Sequence, residues 1–182
     1  MILVYPGSVL SRKEDRNRLN ALFANDRPCW ISDGQLDLPI EKLMEEVQNS
    51  KSSDSENQKL SDSASLPPMM YVAGKDREEL EAMLDILEEN GFSDLLMAAS
   101  TPNNMTWTLR ELASELADEK RVFDKRKRLE QLIQEADRER LRTEPKYAQA
   151  VMTCYQMLSA EDFPEKLLDM AIAMLEAANQ NI

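Results

Sequence analysis

Hydrophobic residues in the first two thirds of the chain follow two kinds of pattern. Residues 2–5, 28–32, 69–73 and 95–99 are short apolar runs bounded by turn-forming residues, which is typical of buried strands. Parts of the intervening segments carry apolar residues every three or four positions, as amphipathic helices do. The alternation predicts an α/β fold with a small, mainly parallel sheet of three or four strands flanked by helices.

Capping signals predict where helices begin. A serine, threonine or aspartate followed three residues later by glutamate can exchange hydrogen bonds with it at a helix N-terminus. This pattern occurs at Ser11 with Glu14, Asp76 with Glu79, Thr108 with Glu111, and Asp162 with Glu165. The helix after Asp76 is expected to bury Leu80, Met83, Leu84 and Leu87. The strands on either side of it are expected to run parallel.

The remaining segments differ in character. Residues 49–66 are rich in Ser, Asp, Asn, Glu, Gln and Lys, and too few apolar residues are present to offset the entropy of ordering them. This segment is interpreted as a flexible linker or insertion. Residues 118–142 are strongly charged with a narrow apolar edge, which predicts a long exposed helix. Two further helices, starting at Pro145 and near Pro164, are expected to pair as an antiparallel hairpin.

These patterns divide the chain into four parts. The α/β fold is expected to consist of a β-α-β-α segment at 1–48 and a β-α-β-α core at 67–120, separated by the linker at 49–66. A helical C-terminal extension follows at 121–182 and contains the basic run Lys125–Arg128. Acidic residues flank this run and no aromatic residues interleave with it, so it is interpreted as a solvated helix face rather than a surface for nucleic acid.

The charge balance narrows the range of partners. With 22 basic and 34 acidic residues the formal net charge is −12, which argues against docking of the whole chain on nucleic acid or an anionic membrane. No apolar run reaches the about 18–20 residues of a membrane span, and the N-terminus does not resemble a signal peptide. Cys29 and Cys154 belong to no CxxC pair, so they are expected to be free thiols in a cytoplasmic protein.

Histidine is absent from the chain. Its absence excludes Ser-His-Asp and Cys-His catalysis and the usual zinc sites, and makes an enzyme less expected. Catalysis by carboxylates, lysine or backbone amides stays open. No catalytic residue, metal ligand or cofactor is assigned.

Candidate binding chemistry is concentrated in the strand-to-helix loop at residues 100–110. In an open α/β sheet, ligands commonly bind beyond the carboxyl ends of the strands. The candidate ligand-binding residues are Thr101, Asn103, Asn104, Thr106, Trp107 and Thr108. The polar side chains and the N–H groups that begin the next helix suit a carboxylate, phosphate or amide. The structural alternative is a capped turn in which the tryptophan anchors the helix to the sheet.

The same loop carries a family motif. Residues 101–109 read Thr-Pro-Asn-Asn-Met-Thr-Trp-Thr-Leu, and a helix rich in Glu and Leu precedes them at 76–84. Over residues 67–119 the chain resembles a small, uncharacterised bacterial domain family whose hallmark is Thr-Pro-x-Asn-x-x-Trp-Thr-Leu. The resemblance implies a fold and a site but no reaction. Members commonly carry a lysine four positions before the motif's threonine, where this chain has Met97, and often a later histidine. The resemblance therefore implies that an activity dependent on that lysine would be lost here.

Two functions from different classes follow from these observations. The leading hypothesis is a non-enzymatic interaction or regulatory module whose C-terminal helices bind an unknown protein partner. The predicted hairpin contains Met152, Met157, Met170 and Met174, and flexible thioethers suit adaptable binding surfaces as well as irregular cores. The alternative is a domain, or minor enzyme, that binds a small anionic or amide metabolite at the 100–110 loop. Nucleic acids and membranes are not expected partners.

Overall fold

The computed structural model describes residues 1–7, 10, 12–49, 66–159 and 164–180. The chain divides into two compact units, here called the α/β unit (Met1–Ala117) and the helical unit (Asp118–Ile182). Nearly all of the predicted linker lies outside the described residues, as do Ser11 and Asp162 of two predicted capping boxes. No helix in the described part of the chain is long and apolar enough to cross a membrane.

The α/β unit contains one four-stranded sheet. Its strands are β1 (Ile2–Tyr5), β2 (Cys29–Trp30), β3 (Met69–Val72) and β4 (Leu96–Ala99). Its helices are α1 (Lys13–Leu22), α2 (Ile40–Asn49), α3 (Arg77–Glu89) and the first part of α4 (Leu109–Gln134). The spatial order is β2-β1-β3-β4. The outer pairs are parallel and the central pair, β1 with β3, is antiparallel. The mainly parallel α/β sheet is confirmed, and its antiparallel centre is a feature that the sequence patterns do not predict.

Side chains of β1 and β3 are buried on both faces of the sheet. Alternate residues of a strand point to opposite faces. Ile2, Val4, Met70 and Val72 pack with α1 and α3, and Leu3, Tyr5, Met69 and Tyr71 pack with α2 and α4. Each of these eight residues is at most 4% exposed. Helices on both faces therefore explain why the strands read as continuous apolar runs in the sequence.

Helix α3 shows which local predictions are correct. Asp76 Oδ1 accepts the Glu79 N–H at 2.9 Å and Glu79 Oε2 accepts the Asp76 N–H at 3.0 Å, which confirms the capping box. Gly91 follows the helix with a φ of +79°, a conformation that favours glycine. The predicted inner face is correct for Met83 but wrong for Leu84, which is 47% exposed. Successive residues of a helix differ by about 100° in direction, so Leu84 points away from the sheet that Met83 faces.

The helical unit comprises the second part of α4 with α5 (Arg140–Thr143), α6 (Pro145–Leu158) and α7 (Glu165–Gln180). Its core residues are Leu129, Leu132, Tyr147, Val151, Cys154, Leu168, Ala171 and Leu175. The Tyr147 hydroxyl donates to Asn179 Oδ1 at 2.8 Å, and the Cys154 thiol lies 3.8 Å from the Ala171 carbonyl oxygen. The start of α6 therefore lies near the end of α7, which confirms the antiparallel hairpin and the helical C-terminal extension.

The single long helix predicted at 118–142 is wrong in its length. Helix α4 ends at Gln134, and the Asp137 carboxylate then accepts the N–H of Arg140 at 3.0 Å at the start of a separate short helix. Backbone hydrogen bonds of this kind lower the pKa of Asp137. The narrow apolar edge is as predicted: Leu129 and Leu132 are buried in the helical unit, and the other residues of 118–134 are exposed or half-buried.

The basic run of α4 is used inside the helical unit. Lys125 Nζ lies 2.8 Å from Glu165 Oε1 and 2.6 Å from Asp169 Oδ1 on α7. Arg128 Nη2 lies 2.8 Å from Glu176 Oε1 on the same helix. Arg128 is exposed, as expected for a solvated face, and Lys125 is half-buried. Both cations also connect α4 to α7, which the sequence did not predict.

Candidate functional site

The loop between β4 and α4, here called the Trp loop (residues 100–108), is organised by Asn104. Asn104 Oδ1 accepts the Tyr71 hydroxyl at 3.0 Å and the Thr101 N–H at 2.9 Å. Its Nδ2 donates to the Ala99 carbonyl at 2.9 Å. These bonds join the loop to the end of β4 and to β3. Both ends of the Asn104 amide therefore have partners within the fold.

Thr108 caps the helix that follows the Trp loop. Thr108 Oγ1 accepts the Glu111 N–H at 3.1 Å, and Glu111 Oε2 accepts the Thr108 N–H at 2.9 Å. The predicted capping box is confirmed, and the bonds from the Thr108 backbone and hydroxyl lower the pKa of Glu111. The Glu111 carboxylate thus lies at the helix N-terminus, which is where the sequence analysis expects an anionic ligand to bind.

A second loop, here called the crossing loop (residues 32–39), meets the Trp loop. The Glu41 N–H, at the start of α2, donates to the Met105 carbonyl at 3.1 Å. The Arg110 N–H, at the start of α4, donates to the Leu36 carbonyl at 3.1 Å. First-turn N–H groups normally lack partners within their own helix. Here each loop supplies acceptors to the helix that follows the other loop.

Other candidate residues form the outer surface of the Trp loop. Thr101, Asn103 and Thr106 are exposed, and Trp107 is 39% exposed. The Thr101 hydroxyl also accepts the Asn104 N–H at 3.3 Å. The structure thus divides the six candidates: the side chains of Thr101, Asn104 and Thr108 form hydrogen bonds within the fold, and those of Asn103, Thr106 and Trp107 line the surface. Binding of a metabolite at this surface stays a prediction.

Sequence reasoning missed a polar cluster beside the two loops. Arg110 forms a two-point contact with Asp37, with Nε to Oδ1 at 2.6 Å and Nη2 to Oδ2 at 3.2 Å, and Arg110 holds the pKa of Asp37 below its ordinary value. The Tyr5 hydroxyl donates to Asp33 Oδ1 at 2.9 Å. Burial, and then this hydrogen bond, raise the pKa of Tyr5 to about 12. The paired residues are 73 and 28 positions apart, so no local pattern reveals either contact.

Neither cysteine forms an activated nucleophile. Cys29 and Cys154 are both free thiols, as expected, and burial raises the pKa of each. A raised pKa keeps a thiol protonated and therefore weakly nucleophilic. Among the residues that the structure describes, no group of three or more Cys, Asp or Glu side chains is placed to hold a metal ion.

Comparison with known proteins identifies one family over part of the chain. Residues 68–123 match a family model described as Domain of unknown function (DUF3783). The matched segment contains β3, α3, β4, the Trp loop and the first part of α4. No curated protein and no solved structure matches the chain significantly. The match supports similarity to a domain of unknown function over this segment, and it assigns no reaction.

Proposed function

We propose that this chain is a non-enzymatic interaction module whose helical unit binds a protein partner. The observation that carries the proposal is the distribution of exposed large apolar side chains. Of the eight among the described residues, six lie in the helical unit: Phe123, Met152, Tyr155, Leu167, Met170 and Met174. Single exposed apolar residues are common, but contiguous apolar surface marks interaction sites.

Three of the six form a stripe on α7. Leu167, Met170 and Met174 are spaced three and four positions apart, so they lie along one side of the helix. Each directly precedes a core residue of α7, which places the stripe beside the buried face rather than on it. This stripe, called the methionine stripe below, is the surface to which the partner is proposed to bind.

The rest of α7 is used within the helical unit. Its core residues Leu168 and Leu175 are fully buried. Its acidic residues Glu165 and Asp169 pair with Lys125 of α4. The helix therefore presents a buried face, a charged face bound to α4, and the methionine stripe. Flexible thioether side chains can adapt to the shape of an apolar partner.

The partner is expected to offer an apolar helix face or groove. Because the chain carries a net charge of −12, a strongly acidic partner is disfavoured by like-charge repulsion. Burial of a methionine side chain is worth about 1.5–3 kcal/mol, and about 1.4 kcal/mol corresponds to a tenfold change in affinity. Met170 and Met174 are 60% and 39% exposed, so a partner can bury only part of each side chain. Removal of both methionines is therefore expected to weaken binding by about tenfold or more.

The experiment is affinity capture with the full chain from a lysate of the source organism, quantified by mass spectrometry. The test variant is Met170→Gln with Met174→Gln, which keeps side-chain length but removes apolar character. The matched control is Leu84→Gln, because Leu84 is an exposed apolar residue of the α/β unit. A partner captured by the parent and by the control, and reduced about tenfold or more by the double variant, is the expected result.

Equal capture by the parent and the double variant, with unchanged helicity by circular dichroism, contradicts the proposal. Sedimentation of the purified chain tests whether the methionine stripe binds a second copy of this chain instead. If the parent forms dimers and the double variant does not, the stripe joins two copies of this chain rather than binding a different protein.

A further inference from the structure

The two halves of the α/β unit repeat one another in structure. Each half places a parallel strand pair around one helix and sends a loop to a second helix. We infer that residues 1–49 are a second, diverged copy of the β-α-β-α unit at 66–117, and that the two copies bind each other across a pseudo-two-fold axis. This inference concerns the α/β unit and is independent of the function proposed for the helical unit.

The two loops share a set of hydrogen bonds at a constant offset of 69 positions. In the crossing loop the bonds are Gln35 N–H to Ser32 O (3.0 Å), Ser32 N–H to Gln35 Oε1 (3.1 Å) and Leu38 N–H to Gln35 O (3.1 Å). In the Trp loop they are Asn104 N–H to Thr101 O (3.2 Å), Thr101 N–H to Asn104 Oδ1 (2.9 Å) and Trp107 N–H to Asn104 O (3.2 Å). Gln35 therefore forms in the first copy the bonds that Asn104 forms within its own loop in the second.

The contacts between the copies are reciprocal. At the same offset, Leu36 corresponds to Met105 and Glu41 to Arg110. The Glu41 N–H donates to the Met105 carbonyl, and the Arg110 N–H donates to the Leu36 carbonyl, both at 3.1 Å. If each residue is replaced by its counterpart in the other copy, the bond from Glu41 to Met105 becomes the bond from Arg110 to Leu36. Two unrelated β-α-β-α segments would have no reason to contact each other in this way.

Strand β1 corresponds to β3 at an offset of 68 positions, and β2 corresponds to β4 at the loop offset of 69 positions. The Val4 carbonyl accepts the N–H of Ile31, the residue after β2, at 2.8 Å. The Val72 carbonyl accepts the N–H of Ser100, the residue after β4, also at 2.8 Å. Val4 and Val72 are thus equivalent positions. The residues before them, Leu3 and Tyr71, are equivalent as well.

Two pairs of equivalent residues mark the axis. Leu3 lies opposite Tyr71 in the antiparallel ladder between β1 and β3. Pro39 forms an isolated antiparallel bridge with Thr108, its counterpart at the loop offset. In an antiparallel pair, a residue lies opposite its own counterpart only where a two-fold axis passes between them. Both the centre of the sheet and the loop crossing satisfy this condition.

According to this inference, the side of the Trp loop that contacts the crossing loop binds the N-terminal copy of the unit. The matched segment is incomplete by itself, because β3 takes β1 as a sheet neighbour and Arg110 takes its acceptor from Leu36. The surface involved fits another copy of the same unit, which this chain supplies from its N-terminal part. The sequences 32–38 and 101–107 share no residue at corresponding positions, so the correspondence of the two loops rests on their hydrogen bonds and not on residue identity.

An exchange of loop sequences in the full chain tests the duplication. Residues 32–38 are replaced by the seven-residue sequence of 101–107, and a matched chimera carries alanine instead of asparagine at position 35. Leu3 stands where the second copy has Tyr71, so the transplanted asparagine has two of the three partners of Asn104. The asparagine chimera is expected to melt above the alanine chimera by about half or more of the Tm loss that Asn104→Ala causes in the parent.

Equal melting temperatures of the two chimeras overturn the inference. If neither chimera unfolds cooperatively, a double variant of the unmodified chain, Ser32→Thr with Gln35→Asn, provides the test of the inference. The inference requires this double variant to melt within about 3 °C of the parent while Gln35→Ala melts lower. A double variant that melts as low as Gln35→Ala overturns it.

Discussion

The α/β unit and the helical unit differ in how many large apolar side chains they expose. Among the described residues, the α/β unit exposes Leu84 and Trp107, whereas the shorter helical unit exposes six such residues. Size explains part of this difference, because a smaller unit has more surface for its volume. Size does not explain why three of the six form one stripe along α7. The difference is the reason why the proposed binding surface is assigned to the helical unit and not to the α/β unit.

The two units also differ in what holds their elements together. In the α/β unit, the sheet is covered on both faces and the two loops exchange backbone hydrogen bonds. In the helical unit, the contacts of α4 with α7 include a core and a line of ion pairs centred on Glu165 and Lys125. Hydrogen bonds with buried partners are sensitive to side-chain deletion, whereas exposed ion pairs are sensitive to pH and salt.

The largest expected effect on stability is a difference between the buried face of α7 and its methionine stripe. Leu168→Ala removes a fully buried side chain and is expected to reduce the free energy of unfolding by about 3 kcal/mol. Met170→Ala changes a residue that is 60% exposed and is expected to alter it by less than about 0.5 kcal/mol. Urea unfolding followed by far-ultraviolet circular dichroism measures both. If Met170→Ala reduces the free energy of unfolding as much as Leu168→Ala does, Met170 is buried and the methionine stripe is not an exposed surface.

The next effect concerns the Trp loop. Asn104→Ala removes three hydrogen bonds, and we expect it to reduce the free energy of unfolding by about 2 kcal/mol. The matched control is Asn103→Ala at the exposed neighbouring position, with an expected change below about 0.5 kcal/mol. Tryptophan fluorescence is the appropriate probe, because Trp30 and Trp107 both lie in the α/β unit.

Equal and small effects of the two asparagine variants would show that Asn104 does not hold the loop. The amide would then be available to a ligand, and the metabolite-binding hypothesis for the Trp loop would gain weight. A screen of carboxylates, phosphates and amides by thermal shift would follow, because a ligand at about 100 times its Kd adds about 2.7 kcal/mol.

The smallest effect is a pH dependence of the helical unit. Hydrogen bonds from Arg121, and then from Lys125, lower the pKa of Glu165 from 4.5 to about 2. A carboxyl whose pKa is lower in the folded state stabilises it above the unfolded pKa. That contribution is lost as the pH falls from about 4.5 through about 2. Glu165→Gln is therefore expected to flatten the dependence of the urea midpoint on pH in this window.

The urea midpoint is followed by circular dichroism between about pH 6 and pH 2.5, with and without added salt. Glu111→Gln is a useful comparison, because Glu111 also has a lowered pKa but lies in the α/β unit. If Glu165→Gln follows the parent at every pH, the ion pairs of α4 and α7 do not stabilise the helical unit.

Parts of the fold and of the candidate site were predictable where the contacts are local. The capping pairs Asp76 with Glu79 and Thr108 with Glu111 are three positions apart, and both form as expected. The division of the Trp loop into inner and outer residues was not predictable. Asn103 and Asn104 are adjacent and chemically identical, and the contacts of Asn104 with distant Tyr71 and with nearby Ala99 and Thr101 distinguish them.

The sequence by itself determined the alternation of strands and helices in the α/β unit, the caps of α3 and α4 and the α/β class, because these depend on residues a few positions apart. Only the tertiary structure decided the antiparallel centre of the sheet, the crossing of the two loops and the use of the basic run of α4 as a connection to α7. These features join residues that lie tens of positions apart in the chain. Such contacts arise because closing the chain buries apolar surface and pairs backbone groups, and no local pattern records which distant partner achieves this.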